Sequence, residues 1–464
     1  MNDLTTAAGR RITSLLDANS FVEIGGQITA RSTDFNLGEA KAPSDGVITG
    51  YGTVDGSLVY VYSQDSSVLG GTIGEMHARK IVNIYKLARK TGAPIVGMLD
   101  CGGLRLEEST DALDALGKIY RSEVMSSGVI PQITAVFGSC GGGLSIVPSL
   151  SDFTYMESGS GSYFVNSPDA IKDNSRDKCD TSASDFQSKA GNIDFTGTEE
   201  EVFADMRALL SMLPCNNEDE GEIVSCADDL NRSCAGIETV LNDAPQALSM
   251  IADNGVFTET KKDYGTSIVT GFMRLNGSTV GAIANNGEDG ELMGKAVLKA
   301  SKFLSFCDAF NIPVLTLVNA KGFCRTQCSE ERMPRAAASL IFGYANATVP
   351  KVTVIAGKAY GTPYVIMGSK AVGSDMTYAW KDAEIGVMDA DAAAKILYDG
   401  KDADTIKKGA EDFKALQQNV NSAAAHGYVD TVIEPQDTRK YVIGAFEMLY
   451  TKRENRPDRK HGTV

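Results

Sequence analysis

The sequence predicts an α/β protein built from two homologous domains in tandem, and three observations lead to that prediction. A segment of the first half, Ile48–Asp65 (ITGYGTVDGSLVYVYSQD), recurs in the second half as Val269–Asn286 (VTGFMRLNGSTVGAIANN). Each copy contains an Asp-Gly or Asn-Gly pair of the kind that joins two antiparallel strands. Short Val- and Ile-rich segments follow in both halves and end in glycine, as strands do when they alternate with helices.

The repeat continues along the chain at an almost constant spacing. GAPIVGMLD in the first half resembles NIPVLTLVN in the second, and Ile130–Gly143 resembles Val349–Thr362. These later segments are offset by 219 positions, close to the offset of 221 between the first pair. Self-similarity of this kind marks duplicated structural units, so we predict two domains, 1–235 and 236–464. The polar, turn-rich segment Pro214–Ala244 is the expected linker region, although two copies of a stable fold need not share any chemistry.

The elements follow the same order in each half. A β-hairpin is predicted to turn at Asp55–Gly56 and again at Asn276–Gly277. A helix is predicted over Gly74–Thr91, where apolar residues recur at helical spacing, and its counterpart at about Lys295–Phe310. Strands that begin after a proline then end at glycine turns that open helices. Backbone amides at such turns are free to face a ligand.

The composition is that of a soluble globular protein with a marked negative charge. Of the 464 residues, 44 are Lys or Arg and 60 are Asp or Glu, a formal net charge of −16, which argues against nucleic acid or an anionic membrane as a partner. No apolar run approaches the ~18 residues of a membrane-spanning helix. The nine cysteines are scattered and form no CxxC pair, so we expect no disulfide framework, no metal site and a cytoplasmic location.

The strongest local signal for chemistry is Gly138–Phe153 (GSCGGGLSIVPSLSDF), a glycine-rich segment at the end of a predicted strand. Glycine allows positive φ and a close approach of the backbone to a ligand. Adjacent exposed N–H groups at such a turn can stabilise an oxyanion, for example a thioester enolate. A tight turn packed against a helix explains the same glycines, and the residues alone leave both interpretations open.

The segment Gly138–Gly142 also matches G-x-C-x-G, the pattern of a nucleophilic cysteine on a strand-to-helix turn. A Cys140 nucleophile needs a histidine base that is held by an acid, and the chain has three histidines, His77, His426 and His461. A cysteine among small residues is more often a small apolar side chain. We therefore expect neither thiol chemistry nor histidine acid–base catalysis to be the main activity.

Two further glycine turns follow predicted strands. Asp100–Ser109 (DCGGLRLEES) precedes a helix, and its Arg105 either meets an anion or pairs with a carboxylate. Gly357–Lys370 (GKAYGTPYVIMGSK) is the second-half counterpart of the first turn. Neither a P-loop nor a G-x-G-x-x-G motif occurs, so a nucleotide-binding signature is absent from the sequence.

Short distinctive motifs run along nearly the whole chain. They are SFVE at Ser20, DGVITGYGTVDG at Asp45, YSQD at Tyr62, GGTIGE at Gly70, SSGVIPQI at Ser126, FCDAFNIPV at Phe306, ATVPKVTVI at Ala347, KAYG at Lys358 and KHGTV at Lys460. Together they resemble the carboxyltransferase subunits of biotin-dependent acyl-CoA carboxylases and decarboxylases. This family includes the β subunits of propionyl-CoA and acetyl-CoA carboxylases and the α subunits of methylmalonyl-CoA and glutaconyl-CoA decarboxylases. The resemblance implies a pair of crotonase-like (ClpP/crotonase) domains, in agreement with the repeat.

The resemblance implies carboxyl transfer between a short-chain acyl-CoA and biotin carried on a separate protein. In this family the enzyme mainly supplies two oxyanion holes, which fits the shortage of histidines. By motif, the first hole is Gly142 and Gly143, facing the CoA thioester, and the second is Gly361 and Thr362, facing the biotin ureido oxygen. The residues expected to line the CoA and biotin sites are Gly102, Gly103, Arg105, Gly141, Tyr360, Pro363 and Val365.

The chain departs from the family pattern mainly on the side expected to face biotin. Where the family commonly has Gly-Gly-Ala after KAY, this sequence has Gly361, Thr362 and Pro363, and proline has no N–H. If the position of Pro363 supplied a donor, that donor is lost and only Gly361 and Thr362 remain. Val365 stands where some carboxylases have an acidic residue, which indicates a different choice of acyl group.

The 464 residues contain no AMKM-type biotinylation motif and no ATP-binding motif. The expected partners are therefore a biotin carrier protein, together with a biotin carboxylase or membrane decarboxylase subunits. In the family each site forms between the N-terminal domain of one subunit and the C-terminal domain of another, which implies a homodimer or a ring of three dimers.

We expect the α subunit of a decarboxylase for methylmalonyl-CoA-type esters. One alternative is a carboxylase β subunit, and another is a catalytically impaired structural subunit. A third is a hydratase or isomerase of the crotonase superfamily, which would need a positioned Glu or Asp base.

Overall fold

The computed structural model of the protein describes residues 4–31, 42–175 and 179–457. Its contacts divide the chain into two units, Met1–Asp219 and Glu220–Val464. Residues 220–235 make contacts within the second unit, where the Val224 N–H donates to the Gly277 carbonyl at 3.1 Å. The KHGTV motif and His461 lie outside the described residues.

In the first unit the described residues form one eight-stranded sheet with helices packed against it. The strands are β1 (Val22–Glu23), β2 (Val47–Val54), β3 (Ser57–Gln64), β4 (Ile95–Cys101), β5 (Gln132–Gly141), β6 (Phe153–Glu157), β7 (Ser162–Phe164) and β8 (Phe195–Gly197). The helices are α1 (Ala7–Leu15), α2 (Glu75–Thr91), α3 (Ser109–Val124), α4 (Ile146–Leu150), α5 (Ser184–Ala190) and α6 (Glu199–Met212). The order is β1-β2-β3-β4-β5-β6-β8, and β7 pairs with the end of β5. Pairing is antiparallel from β1 to β3 and parallel beyond β3.

The second unit repeats this arrangement. Its strands are β9 (Phe257–Thr260), β10 (Ile268–Leu275), β11 (Ser278–Asn285), β12 (Glu291–Leu292), β13 (Val314–Ala320), β14 (Gly322–Phe323), β15 (Lys351–Tyr360), β16 (Met376–Trp380), β17 (Glu384–Gly386) and β18 (Thr431–Ile433). Its helices are α7 (Ala244–Ile251), α8 (Gly294–Ala309), α9 (Gln327–Glu330), α10 (Met333–Asn346), α11 (Gly361–Ile366), α12 (Ala390–Leu397), α13 (Ala403–Phe413), α14 (Val420–Ala425) and α15 (Thr438–Leu449). The main sheet has the order β18-β16-β15-β13-β11-β10-β9, and β17 pairs with the end of β15.

The central parallel strands lie in the core of each unit. All seven residues of β13 are buried, and so are six of the seven residues of β4. Strands buried on both faces need apolar side chains throughout, which explains the continuous Val- and Ile-rich runs in the sequence. The predicted α/β class is confirmed. Within the described ranges no helix is long and apolar enough to cross a membrane.

Both β-hairpins turn where the sequence predicts. Asp55–Gly56 joins β2 to β3, and Asn276–Gly277 joins β10 to β11. All four turn residues have positive φ, between 50° and 85°. A two-residue turn of this kind matches the twist of the strands, and Asp, Asn and Gly accept positive φ more readily than other residues do.

An arginine near the end of the first unit ties its first helix to its hairpin. Arg207 in α6 donates to the Leu15 carbonyl at 2.6 Å and to the Asp17 carboxylate at 2.9 Å. Asp17 also accepts from the N–H groups of Asp55 and Gly56 at 3.1 and 2.9 Å. We call this set of contacts the arginine clasp.

The second unit contains the same clasp. Arg439 in α15 donates to the Ile251 carbonyl at 2.7 Å and to the Asp253 carboxylate at 2.6 Å. Asp253 accepts from the N–H groups of Asn276 and Gly277 at 3.2 and 2.8 Å. The repeat therefore extends from the sheet topology down to individual side-chain hydrogen bonds.

Candidate active site

The first glycine turn (Gly141–Ser145) lies between β5 and α4. Gly142 has a φ of 60°, in the left-handed region that favours glycine. A Cβ atom on Gly141 would lie 2.6 Å from the ring of Phe164, and one on Gly143 would lie 2.9 Å from a leucine methyl group. Backbone conformation therefore requires glycine at position 142, and close packing requires it at the two neighbouring positions.

The turn presents backbone amides at the surface. Gly142 and Gly143 are exposed and are the first two residues of a helical turn. The first N–H groups of a helix have no acceptor inside the helix. A Cβ atom on Gly142 would meet nothing within 4 Å, so the space in front of this residue is open. Two consecutive exposed residues at the start of a helical turn, with open space beside the first, are the kind of arrangement in which backbone amides can stabilise an oxyanion.

The second glycine turn (Tyr360–Val365) consists of the last residue of β15 and the first five residues of α11. Gly361 has a φ of 59°, almost the same as Gly142. Thr362 is exposed, and Pro363 is buried as the third residue of the helix. The structure thus places a second pair of consecutive residues, Gly361 and Thr362, at a helix start with the same backbone conformation.

The position of Pro363 becomes clear when the two turns are matched. Strands β5 and β15 both have ten residues, and a left-handed glycine directly follows each. Gly142 then corresponds to Gly361, the next residues correspond to each other, and Pro363 takes the place of Leu144. Pro363 therefore removes the third N–H of its turn, while the two predicted donors of the second hole keep theirs.

A charged cluster that the sequence analysis did not single out lies beside the second turn. The Tyr360 hydroxyl donates to Glu384, and the Lys414 ammonium lies 2.7 Å from the same carboxylate. Burial and the neighbouring Glu384 raise the pKa of Tyr360 well above its usual range. Partial burial opposes ionisation of Glu384, but hydrogen bonds from Lys414 and Tyr360 lower its pKa overall. Tyr360 is therefore a neutral phenol that is held by a carboxylate.

Gly102 and Gly103 lie close to the first glycine turn, because the preceding Cys101 is in register with Cys140 at the ends of β4 and β5. Their amides are engaged within the protein. The Gly102 N–H donates to the Gly70 carbonyl at 2.8 Å, and the Gly103 N–H lies 3.3 Å from the Cys101 sulfur. Contact of these glycines with a CoA ester stays a prediction. Because their N–H groups already have partners within the protein, such a contact would involve the exposed surface of the glycines and not hydrogen bonds from these amides.

Arg105 is buried, with 1% of its surface exposed. Its guanidinium lies 2.6 Å from the Asp45 carboxylate and 2.9 Å from that of Glu108, and it also donates to the Thr72 carbonyl at 2.7 Å. Of the two roles considered from the sequence, pairing with a carboxylate is the one that this geometry contains. A contact between Arg105 and a bound cofactor stays a prediction.

The environment of Cys140 does not favour thiol chemistry. Cys140 is fully buried, and burial raises the pKa of its thiol well above the usual range. A cysteine nucleophile needs the thiolate. His77, the histidine of this unit, is also buried, and its ring nitrogens contact the Asp45 carbonyl at 2.8 Å and the Gln64 side chain at 3.2 Å. The structure therefore supports the interpretation of Cys140 as a small core residue.

Sequence reasoning also missed the hydroxyl groups that surround the first glycine turn. The Ser145 hydroxyl donates to the Gly142 carbonyl at 2.7 Å, and the Tyr120 hydroxyl donates to the Gly143 carbonyl. Ser145 could have been found, because a serine that bonds to the carbonyl three residues before it is a local pattern. Tyr120 comes from α3, 23 positions away, and no local pattern indicates its contact.

Two parallel-rich sheets, each with a left-handed glycine at the start of a helix, agree with the predicted pair of crotonase-like domains. Comparison with known proteins defines the family. The carboxyl transferase domain matches residues 5–464. Methylmalonyl-CoA decarboxylase subunit alpha of Veillonella parvula is 40% identical, over 98% of this chain and 92% of that protein. Propionyl-CoA carboxylase beta chain of Roseobacter denitrificans is 38% identical, over 98% and 93%.

A solved structure shows the same fold. The hexameric transcarboxylase 12S, determined with hydrolysed methylmalonyl-CoA bound, has a TM-score of 0.94 and is 36% identical, with 98% of this chain and 92% of that chain covered. The protein belongs to the carboxyl transferase family. The predicted tandem crotonase-like fold is confirmed, and so, at the level of the family, is the predicted enzyme class, a biotin-dependent acyl-CoA carboxyltransferase.

Proposed function

We propose that this protein transfers a carboxyl group from a methylmalonyl-CoA-type ester to biotin held on a separate carrier protein. The observation that carries the proposal is the pair of matching glycine turns, with φ of 60° at Gly142 and 59° at Gly361, in a chain that matches the carboxyl transferase domain over residues 5–464. The reaction involves two polarised oxygens, one on the thioester and one on the biotin ureido group. A duplicated oxyanion turn suits this requirement.

The first turn is proposed to act on the CoA ester. When the ester loses its carboxyl group, the bond between that group and the α-carbon breaks, and the electron pair passes to the thioester oxygen as an enolate. The N–H groups of the exposed residues Gly142 and Gly143, which begin a helical turn, are proposed to stabilise that charge. Each such donor contributes on the order of 3–4 kcal/mol to the transition state. Gly141, Gly102 and Gly103 are proposed to line the approach of the ester. Arg105 is proposed to hold the Asp100–Ser109 turn in place through its ion pairs with Asp45 and Glu108.

The second turn is proposed to bind biotin. Carboxylation of a ureido nitrogen by the released CO2 would free the proton of that nitrogen, and the α-carbon of the enolate would take up that proton. The residues present fit biotin, because the N–H groups of Gly361 and Thr362 open a helix and can hold the ureido oxygen. Val365 is exposed and lies three positions after Thr362, on the same face of the helix, where it offers apolar contact. Tyr360 and Pro363 are buried on either side of Gly361 and Thr362 in the chain and are proposed to support this pair.

The direction of transfer is proposed from the relatives. Methylmalonyl-CoA decarboxylase alpha subunits of Veillonella parvula and Propionigenium modestum are 40% and 39% identical to this chain. Carboxylation of propionyl-CoA is the second candidate, because the propionyl-CoA carboxylase beta chain cited above is 38% identical. The same two turns serve both directions, so the direction depends on whether the carrier works with a biotin carboxylase or with membrane decarboxylase subunits.

We also propose that the chain assembles into a homo-oligomer. The hexameric assembly of transcarboxylase 12S, a structure that matches with a TM-score of 0.94, supports a ring of three dimers. Light scattering of the purified protein should give the mass of six chains of 49.3 kDa each. A stable monomer would contradict this proposal.

The test of function uses the full-length protein, a biotinylated carrier protein and methylmalonyl-, malonyl- or glutaconyl-CoA. Mass spectrometry should detect loss of the carboxyl group from one of these esters and carboxylation of the carrier. Failure with all three esters would overturn the proposal. Tight ester binding without turnover would instead indicate a structural subunit. Hydration of crotonyl-CoA without biotin would indicate a hydratase.

A further inference from the structure

The carbonyl groups of the first glycine turn are held by three hydroxyl groups. Ser145 donates to the Gly142 carbonyl at 2.7 Å, Tyr120 donates to the Gly143 carbonyl, and Tyr163 donates to the Ser145 carbonyl at 2.8 Å. Ser145 and Tyr163 are 3% and 5% exposed. The bond from Tyr163 is buried and that from Ser145 is partly buried, whereas the bond from Tyr120 is exposed.

The Ser145 bond acts on the peptide group that carries one of the two proposed donors. A trans peptide group is planar, and its C=O and N–H point in opposite directions. The carbonyl of Gly142 and the N–H of Gly143 belong to the same peptide group. A hydrogen bond that holds this carbonyl in one direction therefore also fixes the direction of the Gly143 N–H.

We propose that Ser145 is a positioning residue that aims the Gly143 N–H at the thioester oxygen. The proposal rests on the proposed function of the first turn. The bond from Tyr120 acts on the next peptide group, which carries the N–H of Leu144 and not that of either proposed donor. Ser145 is therefore the hydroxyl side chain whose bond directly orients the amide expected to stabilise the enolate.

The second glycine turn uses another device. The residue that corresponds to Ser145 is Tyr364, and a phenol at the end of a ring cannot form the same short bond to the carbonyl three residues before it. Pro363 fixes the backbone of that turn through its ring instead. The backbone of the second turn is thus fixed by the proline ring and not by a serine hydroxyl. Loss of the Ser145 hydroxyl should therefore affect only the step that the first turn serves.

The test is a comparison of Ser145→Ala with the wild type in carboxyl transfer from the CoA ester to the biotinylated carrier. The expected result is a kcat that is lower by about three- to thirty-fold, with the KM for the ester changed less than about two-fold, because a donor that acts on the developing charge affects the transition state more than the bound ester. Ser145→Thr keeps the hydroxyl and should recover most of kcat.

Ser126→Ala is the matched control. Ser126 is also fully buried, and its hydroxyl donates at 2.7 Å to the carbonyl four residues before it, but it follows the end of α3, away from the turn. It should lose similar stability in urea unfolding and keep the wild-type kcat. An equal loss of kcat in Ser145→Ala and Ser126→Ala would overturn the proposal, since stability alone would then explain it.

Tyr120→Phe distinguishes an effect on the orientation of the Gly143 N–H from a general stabilisation of the turn. It removes one hydroxyl from the neighbouring carbonyl, so its kcat should fall less than that of Ser145→Ala. An equal fall, or a Ser145→Ala enzyme with wild-type kcat, would overturn the inference about Ser145. An inactive wild type would instead overturn the proposed function, so the two failures are distinguishable.

Discussion

Gly142 combines two properties in one residue, a left-handed backbone conformation and open space where a side chain would stand. Gly142→Val places a β-branched side chain at a φ of 60° and fills that space, so we expect kcat to fall by about ten- to a thousand-fold, the scale for losing an oxyanion donor. Steady-state kinetics with the CoA ester measure this effect. Gly400→Val is the control, because Gly400 also has a positive φ, 78°, and a Cβ atom there would meet nothing within 4 Å. Equal activity of the two variants would contradict the proposed role of Gly142.

Pro363 provides a second test at the scale of one residue. Because it corresponds to Leu144 rather than to either donor of the first turn, restoring an N–H there should add no donor to the second hole. We expect Pro363→Ala to change the rate with free biotin by less than about two-fold, with CoA-ester affinity unaffected. A clear rise in rate would show that the third amide of the turn takes part in biotin binding.

His77 provides a prediction about pH. Burial lowers its pKa to about 3, against the opposing effect of the hydrogen bond that its ring donates to the Asp45 carbonyl, with Arg105 and Lys80 lowering it further. Since the folded pKa lies below the unfolded value of 6.5, the stabilising contribution is complete above pH 6.5 and is lost as pH falls towards 3. Between about pH 6.5 and 5 the free energy of unfolding should fall by up to about 1.4 kcal/mol per pH unit.

Urea unfolding followed by circular dichroism at several pH values measures this slope. His77→Gln cannot take up a proton and is the matched variant. Its free energy of unfolding should depend less on pH, in the range from about 6.5 to 5, than that of the wild type. The same slope in both proteins would assign the pH dependence to other groups.

At the scale of elements, local patterns predicted the hairpins, the long helices and the glycine turns. Asp-Gly and Asn-Gly specify a turn without help from the rest of the chain, and helix α2 was predicted to within one residue at its start. Contacts between distant parts of the chain left no such signal. The Glu384–Lys414 pair and the arginine clasps depend on how elements pack, and a single sequence does not show this. For the same reason the sequence left two roles open for Arg105, because its partner Asp45 lies 60 positions away.

The two clasps should differ in strength, because they differ in burial. The side chains of Arg439 and Asp253 are 0% and 5% exposed, whereas those of Arg207 and Asp17 are 27% and 29% exposed. Breaking a buried pair leaves an uncompensated charge, so Arg439→Ala should cost about 3–5 kcal/mol of unfolding free energy. Arg207→Ala should cost about 1 kcal/mol, as expected for a solvated pair.

The single tryptophan gives a readout for the buried clasp. Trp380 donates to the Thr438 hydroxyl at 2.9 Å, next to Arg439. Urea unfolding followed by tryptophan fluorescence should therefore measure the loss in Arg439→Ala, which lies in the same unit. Arg207 lies in the first unit, so urea unfolding followed by circular dichroism measures the smaller loss expected in Arg207→Ala. Equal losses of unfolding free energy in the two variants would contradict the difference in burial as the cause.

At the scale of the whole molecule, the family resemblance implies that each site combines the N-terminal domain of one subunit with the C-terminal domain of another. Gly142→Val and Gly361→Val should each abolish most activity alone. If the subunits are mixed and reassembled as dimers, half of the dimers contain both variants, and one of the two sites in each has two intact turns. Activity should then recover to about one quarter of the wild type. No recovery, with circular dichroism and oligomer mass unchanged, would place both turns of a site in one chain.

The arginine clasp has a consequence for how the protein is made. Asp17 is joined to Arg207 across 190 positions, so the clasp of the first unit can form only when α6 has left the ribosome. At ordinary translation rates the second unit then takes about 10–50 s to synthesise, which is longer than most single domains need to fold. The first copy can thus be complete before its duplicate exists. Vectorial synthesis in this order limits the exchange of equivalent strands between two copies that share one topology.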